Sequence, residues 1–178
     1  MNVIIWLNGP FGGGKTAVAR SLCERDESRV LFDTEEVGQM LRHALNAKRP
    51  VTDFQDWPAW RALVVATAIE LVACLECDLV IPQSVFTHAY WHELTTGFAS
   101  ADVEMRAFTL TAQPEELEKR IARDAKEPSA VDWRLARIPA FQDALPWLAT
   151  ETTVIDTSGR TPAEIAARIL EDVVADRH

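Results

Sequence analysis

Short apolar runs alternate along the chain with longer segments whose apolar residues recur at helical spacing. The apolar runs predict buried parallel strands at residues 3–7, 29–33, 78–84, 103–110 and 152–156. The segments between them predict helices at about 17–25, 34–46, 59–74, 87–97 and 114–126, with a last helix from 161 onward. Strands that alternate with helices are typical of a three-layer α/β/α domain around a parallel sheet.

The size and the charge of the chain narrow its class. At 178 residues the chain has the length of one ordinary domain, so we expect a single domain over 1–178 with a charged helical lid at about 114–140. Lysine and arginine number 18 against 27 acidic residues, which gives a net charge of −9. This charge disfavours nucleic acid as a partner, and we expect a small-molecule substrate. Both a monomer and a homodimer are compatible with the sequence.

The start of the chain and its most apolar segment bear on where the protein is found. Met1 leads almost directly into the first predicted strand, which leaves no room for a signal peptide, so we expect a cytoplasmic protein. The most apolar segment, residues 62–75, is interrupted by Glu70 and is shorter than the about 20 residues that span a bilayer. We therefore expect a core helix there and no integral membrane segment.

Three cysteines and a pair of histidines are candidates for metal or redox chemistry. Cys74 and Cys77 form a C-x-x-C at the end of a helical segment, where we expect buried thiols that pack as small apolar side chains. With Cys23 the cysteines are odd in number, which argues against a disulfide framework. His88 and His92 share a helical face without an H-E-x-x-H pattern, so we expect roles other than metal binding.

The sharpest motif lies between the first predicted strand and the first predicted helix, where residues 9–16 fit the pattern G-x-x-x-x-G-K-[ST]. Glycines let the backbone aim several N–H groups at one anion, and the following helix adds its positive end. The pattern predicts a nucleotide-phosphate loop, in which Lys15 bridges the outer phosphates and the Thr16 hydroxyl holds Mg²⁺. The nucleotide-binding residues predicted here are Gly9, Pro10, Phe11, Gly12, Gly13, Gly14, Lys15, Thr16 and Ala17.

Asp33 follows the second predicted strand and has two candidate roles. Ligands of open parallel sheets bind beyond the carboxyl ends of the strands, so Asp33 would face the phosphate loop and serve as a general base. Alternatively, Asp33 and Glu36 have the spacing of a capping box, and the aspartate would satisfy N–H groups of the next helix.

Five residues in the middle of the chain are candidates for substrate binding. Arg42 lies off the apolar face of its helix and points either into the same cleft or into solvent. Phe54, Trp57 and Trp60 bring three rings close together, which either line a pocket for a ring-bearing substrate or belong to the core. Gln83 follows the third strand and would hydrogen-bond the substrate. Many phosphate-loop proteins have an aspartate at this place to hold Mg²⁺ through water, and this chain does not.

Arginines flank a predicted mobile connection at residues 124–133, which contains Pro128 and Ser129. The arginines before and after it are Arg120, Arg123, Arg134 and Arg137. A hinged flap of this kind would exclude water from the phosphates and place a guanidinium on them. The alternative is a solvated pair of charged helices.

The loop at residues 157–160 connects the last strand to the last helix. It lies at the carboxyl edge of the predicted sheet, so we expect it to contact the nucleotide base, with Arg160 as the candidate residue.

Four stretches of the chain resemble one protein family: residues 4–16, 53–61, 81–94, and 108–112 with the helix that follows. They are similar to the tunicamycin resistance proteins, which belong to the nucleotide-kinase-like branch of phosphate-loop proteins. The resemblance implies a five-stranded parallel sheet of order 2-3-1-4-5, ATP as the nucleotide and tunicamycin as a possible ligand.

Related small-molecule kinases carry an acid after the second strand and arginines in the lid, and Asp33, Arg120 and Arg123 match these places. The resemblance then implies that a substrate hydroxyl gives its proton to Asp33 while it attacks the γ-phosphate. Lys15, Mg²⁺ on Thr16, and Arg120 or Arg123 would stabilise the developing charge.

Three functions are compatible with the sequence. The first is a kinase that inactivates tunicamycin or a related nucleoside-like compound. The second is a protein that sequesters the drug and uses ATP only as a structural ligand, which the missing acid after the third strand keeps open. The third is a metabolic small-molecule kinase.

Overall fold

The computed structural model describes residues 2–123 and 131–175, and its strands form one parallel sheet of order β2-β3-β1-β4-β5. The strands are β1 (Val3–Asn8), β2 (Arg29–Leu31), β3 (Asp78–Pro82), β4 (Glu104–Thr111) and β5 (Thr153–Asp156). The predicted α/β/α class and strand order are confirmed. Strands β2 and β3 end before the predicted residues 33 and 84, because the chain there leaves the sheet and enters the loops at its carboxyl edge.

Helices cover both faces of this sheet. They are α1 (Lys15–Glu24), α2 (Glu35–Leu45), α3 (Pro58–Leu75), α4 (His88–Ser100), α5 (Pro114–Arg123), α6 (Val131–Leu135), α7 (Ile138–Glu151) and α8 (Pro162–Ala175). A 3-10 turn at Phe54–Asp56 precedes α3 and was not predicted. The predicted mobile connection spans residues 124–133. Its residues 124–130, with Pro128 and Ser129, lie outside the described residues.

Strand β1 lies in the centre of the sheet and is buried on both sides, as its continuous apolar run predicts. Ile5 and its neighbours two residues away face a core that includes residues of α1 and α8. Ile4 and Trp6 face the other core, formed with α3 and α4, where the rings of Trp6 and Trp91 meet edge to face at 5.8 Å. The alternation along β1 therefore fixes the strand between two helical layers and places residue 9 at the sheet's carboxyl edge.

Helix α3 contributes one of its sides to the hydrophobic core, as expected for a core helix. By length and composition alone it is apolar enough to cross a membrane, with a mean hydropathy of 1.6. In the domain it packs against α4 and α2, and it buries Trp60, Arg61, Val64 and Ala68. Its outer side is open to solvent near its end, where Leu75 is 46% exposed. Helix α3 thus packs one side into the core and leaves the other side open to solvent.

The expectation of two buried thiols is wrong for one of them. Cys77 is buried just before β3, whereas Cys74 is exposed on the last turn of α3. Cys74 is exposed because a helix at the surface buries only one of its sides, and Cys74 lies on the outer side of α3.

Candidate active site

The phosphate loop connects β1 to α1 at the carboxyl edge of the sheet. Gly9 has a φ of +134°, and a Cβ there would lie 2.3 Å from the Leu110 carbonyl oxygen, so a side chain cannot be accommodated. Gly14 precedes α1 with a φ of +90°, and among the described residues no side chain caps this helix. The first N–H groups of α1 therefore remain available, which is the arrangement that binds a phosphate.

The Lys15 side chain folds back over the loop. Its Nζ donates hydrogen bonds to the carbonyl oxygens of Gly9 and Pro10, both at 2.9 Å, and lies 5.4 Å from the Phe11 ring centre. Burial lowers the pKa of Lys15 from 10.5 to about 7; the Glu35 carboxylate opposes this effect and Arg134 adds to it. The lysine is therefore poised to gain from contact with an anion, which would favour its charged form.

A cavity of about 340 Å³, called here the front cavity, opens on one side of the phosphate loop. Its wall includes Phe11 of the loop, the turn at 53–56, residues just after β3, and Trp133 and Arg137 of the lid. Its charged lining residues are Glu35, Asp53, Asp56, Arg42 and Arg137. Aromatic rings and glutamine side chains form much of the remainder, which suits a ring-bearing polar ligand.

A second cavity of about 220 Å³, the rear cavity, lies on the other side of the loop. It is lined by Gly13, Gly14 and Val18 together with Arg120, Thr157, Arg160, Pro162 and Ile165. Arg160 and the loop at 157–160 are therefore brought next to the phosphate loop, where they were expected to contact a nucleotide base.

The two acids after β2 have different positions. Asp33 is exposed, does not line either cavity among the described residues, and accepts a hydrogen bond from the Glu35 N–H at 3.0 Å. This is the capping alternative, made to Glu35 rather than to Glu36. Glu35 lines the front cavity and acts electrostatically on Lys15. Of these two acids it is thus Glu35, an exposed residue that was not predicted from the sequence, that lines the front cavity.

The three predicted aromatic residues separate into lining and core. Phe54 lines the front cavity, where the Arg42 guanidinium lies 4.8 Å from its ring centre. Trp60 lines the same cavity although it is almost fully buried, and its Nε1 donates to the Thr34 carbonyl at 3.0 Å. The expectation for Trp57 is corrected: it stacks behind Phe54, donates to the Arg49 carbonyl, and is a core residue that does not line this cavity.

Gln83, which the sequence analysis proposes as a substrate-binding residue, lines the front cavity. Its Oε1 accepts a hydrogen bond from the Thr34 hydroxyl at 2.7 Å, and its Nε2 donates to the Ser84 carbonyl at 3.1 Å. The amide is thereby held in one orientation between the loops that follow β2 and β3.

Arg120 is the lid arginine that meets the phosphate loop. Its guanidinium donates to the Gly12 carbonyl at 3.3 Å and to the Thr157 hydroxyl at 3.0 Å, and it pairs with Glu116. Arg123 is exposed at the end of α5. Arg120 therefore joins three elements around the rear cavity: α5, the phosphate loop and the loop after β5.

Helix α6 and the residue before α7 border the front cavity. Trp133 contacts Phe11 edge to face with 5.1 Å between ring centres, and the Arg134 guanidinium lies 5.7 Å from the Phe11 ring centre. Arg137 pairs with Asp53 at 2.8 Å. Of the predicted lid arginines, Arg134 and Arg137 thus reach the loop and the turn that border the front cavity.

The donor set fits Mg²⁺ in the way that nucleotide-binding sites hold it. Thr16 lies in the first turn of α1, beside the N–H groups that would hold phosphate. Over residues 2–123 and 131–175 no group of three histidine, cysteine or acidic side chains forms a metal cage. Mg²⁺ keeps several waters and takes phosphate oxygens, so the Thr16 hydroxyl would be one protein contact beside the phosphates. His88 pairs instead with Glu151 at 2.6 Å.

Sequence reasoning missed several residues that build the front cavity. Asp53 accepts from the Gln55 N–H at 3.1 Å, and the buried Gln55 side chain donates to the Ser84 carbonyl at 2.8 Å. Below them the buried Arg61 pairs with Glu93 at 2.6 Å and contacts the Gln55 carbonyl. Among these contacts, only the position of Asp53, one residue before the 3-10 turn, can be recognised from the local sequence.

Comparisons with known proteins agree with this geometry. A family model described as an AAA domain matches residues 4–147. The solved tunicamycin resistance protein of Deinococcus radiodurans is 30% identical, with a TM-score of 0.74 over 97% of this chain and 96% of that chain. No curated protein sequence matches significantly.

Two solved kinases share the fold at lower identity. Shikimate kinase from Acinetobacter baumannii is 18% identical with a TM-score of 0.61, over 99% of this chain and 95% of that chain. The APS kinase of Mycobacterium tuberculosis, solved with AMPPNP and APS, is 18% identical with a TM-score of 0.63, over 96% of each chain. The AAA-domain match spans most of the chain, and the tunicamycin resistance protein is similar over nearly its whole length. The chain therefore belongs to the AAA-domain family and to the tunicamycin resistance proteins.

Proposed function

We propose that this protein is an ATP-dependent kinase that transfers a phosphoryl group to a hydroxyl of tunicamycin or of a related nucleoside-like compound. The observation that carries the proposal is the position of the phosphate loop between two cavities, with Phe11 in the wall of the front one and Gly13 and Gly14 in the wall of the rear one. Two substrates bound there would meet at the loop, as transfer between them requires. We expect the reaction in the cytoplasm, by a monomer or homodimer.

The charges of the front cavity favour a neutral acceptor. Three acidic side chains and two arginines line it. Arg137 is paired with Asp53, and Asp56 accepts from the Tyr90 hydroxyl at 3.2 Å. A strongly anionic acceptor would therefore meet an excess of carboxylates, whereas a ring with hydroxyl groups would find aromatic walls and amide partners. Tunicamycin carries sugar hydroxyls and a uracil ring and fits this description.

The residues have separate roles in the proposed reaction. Glu35 accepts the proton of the attacking hydroxyl. It lines the front cavity, and its charge acts on Lys15 of the phosphate loop. Lys15 and the N–H groups at the start of α1 stabilise charge on the outer phosphates, and Arg120 closes the rear side of the loop. Bound Mg²⁺, held by Thr16 and phosphate oxygens, would supply further neutralisation of the phosphates.

A second function is favoured by one observation. Gln83 and Ser84 occupy the place after β3 where an acid often supports Mg²⁺, and both side chains are used in hydrogen bonds within the protein. A protein that binds ATP and tunicamycin without transfer would need no acid there. Sequestration of the drug is therefore the alternative.

Mass spectrometry of tunicamycin after incubation with the purified protein, ATP and Mg²⁺ tests the proposal, with Lys15→Ala as the control. We expect a product heavier by one phosphoryl group that is absent in the control. If the drug returns unchanged while calorimetry shows that ATP and tunicamycin both bind, sequestration replaces the kinase. Robust phosphorylation of a common nucleoside or sugar, with tunicamycin untouched, would identify a metabolic kinase instead.

A further inference from the structure

The Gly9 carbonyl oxygen accepts two hydrogen bonds from different parts of the chain. The Ser84 hydroxyl donates to it at 2.7 Å, and the Lys15 ammonium donates to it at 2.9 Å. The second acceptor of Lys15, the Pro10 carbonyl, also accepts from the Gly13 N–H at 3.1 Å. Each carbonyl that holds Lys15 in this conformation therefore has another donor of its own.

This arrangement matters because Lys15 must leave both carbonyls to reach the outer phosphates of a nucleotide. Gly9 and Pro10 are buried, and a buried carbonyl that loses its last donor is costly. With Ser84 and the Gly13 N–H in place, neither carbonyl is left without a donor when the ammonium departs.

Ser84 is held against the phosphate loop by contacts that do not involve Lys15. The Asn8 side chain is fully buried, and its Oδ1 accepts from the Gly9 N–H at 2.8 Å and from the Val85 N–H at 2.9 Å. Its Nδ2 donates to the Val85 carbonyl at 2.9 Å. Asn8 therefore fixes the segment that carries Ser84 next to Gly9 whether or not the lysine moves.

We propose that Ser84 is a positioning residue for Lys15, whose hydroxyl keeps the Gly9 carbonyl hydrogen-bonded and so lowers the cost of moving the ammonium to the nucleotide phosphates. The inference rests on the nucleotide-binding part of the proposed function and not on phosphoryl transfer. It gives a role to a buried serine that stands where many phosphate-loop proteins carry an acid.

Calorimetric titration of ATP with Mg²⁺ tests the first consequence. We expect Ser84→Ala to weaken ATP binding roughly tenfold, because the Gly9 carbonyl then loses the last donor that the described residues provide as Lys15 leaves. Ser84→Thr, which restores a hydroxyl, should recover most of the affinity. The matched control is Thr109→Val, which removes another fully buried hydroxyl, one that contacts the Thr152 hydroxyl at 2.7 Å just before β5. This control should stay within about twofold of the parent protein.

A double-mutant cycle on the nucleotide-free protein tests the second consequence by urea unfolding. Ser84→Ala and Lys15→Met each leave the Gly9 carbonyl one donor, and only the double variant removes both. The double variant should therefore be destabilised by more than the sum of the single variants. Additive losses, or unchanged ATP affinity of Ser84→Ala, would overturn the proposal. Failure to phosphorylate tunicamycin would leave both measurements valid and would count against the kinase alone.

Discussion

Arg137 and Asp53 form an ion pair at 2.8 Å that connects the lid to the turn at the wall of the front cavity. The other oxygen of the same carboxylate accepts from the Gln55 N–H at 3.1 Å and caps the 3-10 turn. One side chain thus caps the turn and pairs with Arg137, the residue before α7. Asp53 therefore links two parts of the wall of the front cavity.

Removing this pair should weaken acceptor binding more than catalysis. The two side chains are 31% and 20% exposed, so we expect Arg137→Ala to raise the KM for the acceptor about three- to fivefold with little change in kcat. High salt should reproduce part of the effect in the parent protein, since partly exposed pairs are screened. Arg168→Ala, which removes an exposed helix-surface arginine, is the control. An unchanged KM in Arg137→Ala would show that the pair does not hold the lid.

Replacing each of the two acids after β2 by the corresponding amide residue should change kcat to different extents. Glu35→Gln keeps the shape of a side chain that lines the front cavity but removes the base, and we expect at least a roughly 100-fold loss of kcat with acceptor binding retained. Asp33→Asn keeps an oxygen for the Glu35 N–H and should change kcat little. Steady-state kinetics of both variants make the comparison. The reverse order of effects would return the base role to Asp33.

Arg120 and Arg123 form a second matched pair of variants, since both are arginines on α5. Arg120→Ala removes contacts to the Gly12 carbonyl and to Thr157, and we expect its ATP affinity to fall about tenfold. Arg123 is exposed at the end of the helix, so Arg123→Ala should bind ATP like the parent protein. Calorimetry with ATP measures both. Equal losses in the two variants would mean that the general positive charge of α5, not the Arg120 contacts, supports the nucleotide.

The stability of the nucleotide-free protein should depend on pH through Lys15, because burial lowers its pKa from 10.5 to about 7. Below pH 7 both the folded and the unfolded chain hold the proton, and the folded state bears the full cost of the buried charge. Above this pH the folded chain releases the proton while the unfolded chain keeps it, so the cost falls as the pH rises towards 10.5.

We therefore expect the free energy of unfolding of the parent protein, relative to Lys15→Met, to increase between about pH 6.5 and about pH 8.5. Urea unfolding of the two proteins across this range provides the measurement. The subtraction removes the contributions of Cys23 and Cys77, whose thiols have pKa values raised by burial. A constant difference between the two proteins would mean that Lys15 keeps an ordinary pKa.

Gly38 supports the wall of the front cavity from behind. A Cβ at this position of α2 would lie 2.0 Å from the Phe54 ring, so Gly38→Ala must displace that ring. We expect a loss of about 1–3 kcal/mol in stability and a higher KM for the acceptor. Thermal unfolding and kinetics test this, with exposed Gln39→Ala on the same helix as a stability control. Unchanged stability would show that the turn at 53–56 can shift at little cost in free energy.

The fold and the phosphate loop were predictable because their signals are local. The apolar run of β1 is buried along its whole length, and the loop works through backbone N–H groups whose placement its glycines determine. The front cavity is different, because long-range contacts build it. Asp53 and Arg137 are 84 residues apart, and no spacing in the sequence announces their pair.

The sequence also does not specify in which direction a side chain points. Asp33 and Glu35 are both acids near the end of β2, and the start of α2 turns one carboxylate towards the helix N–H groups and the other towards the cavity. Phe54 and Trp57 are separated in the same way by the unpredicted 3-10 turn, which sends one ring to the cavity and the other to the core. The local sequence therefore indicated the kinds of residue at this edge of the sheet, but it did not separate Phe54 from Trp57 and did not point to Glu35.

The front and rear cavities have no lining residue in common among those that the structure describes. Substitutions that reshape the front cavity can therefore accumulate without altering the side chains around the rear one. In evolutionary terms, such a protein can exchange one phosphate acceptor for another while keeping its phosphate donor. The same independence makes the front cavity the natural target for directed evolution of acceptor specificity.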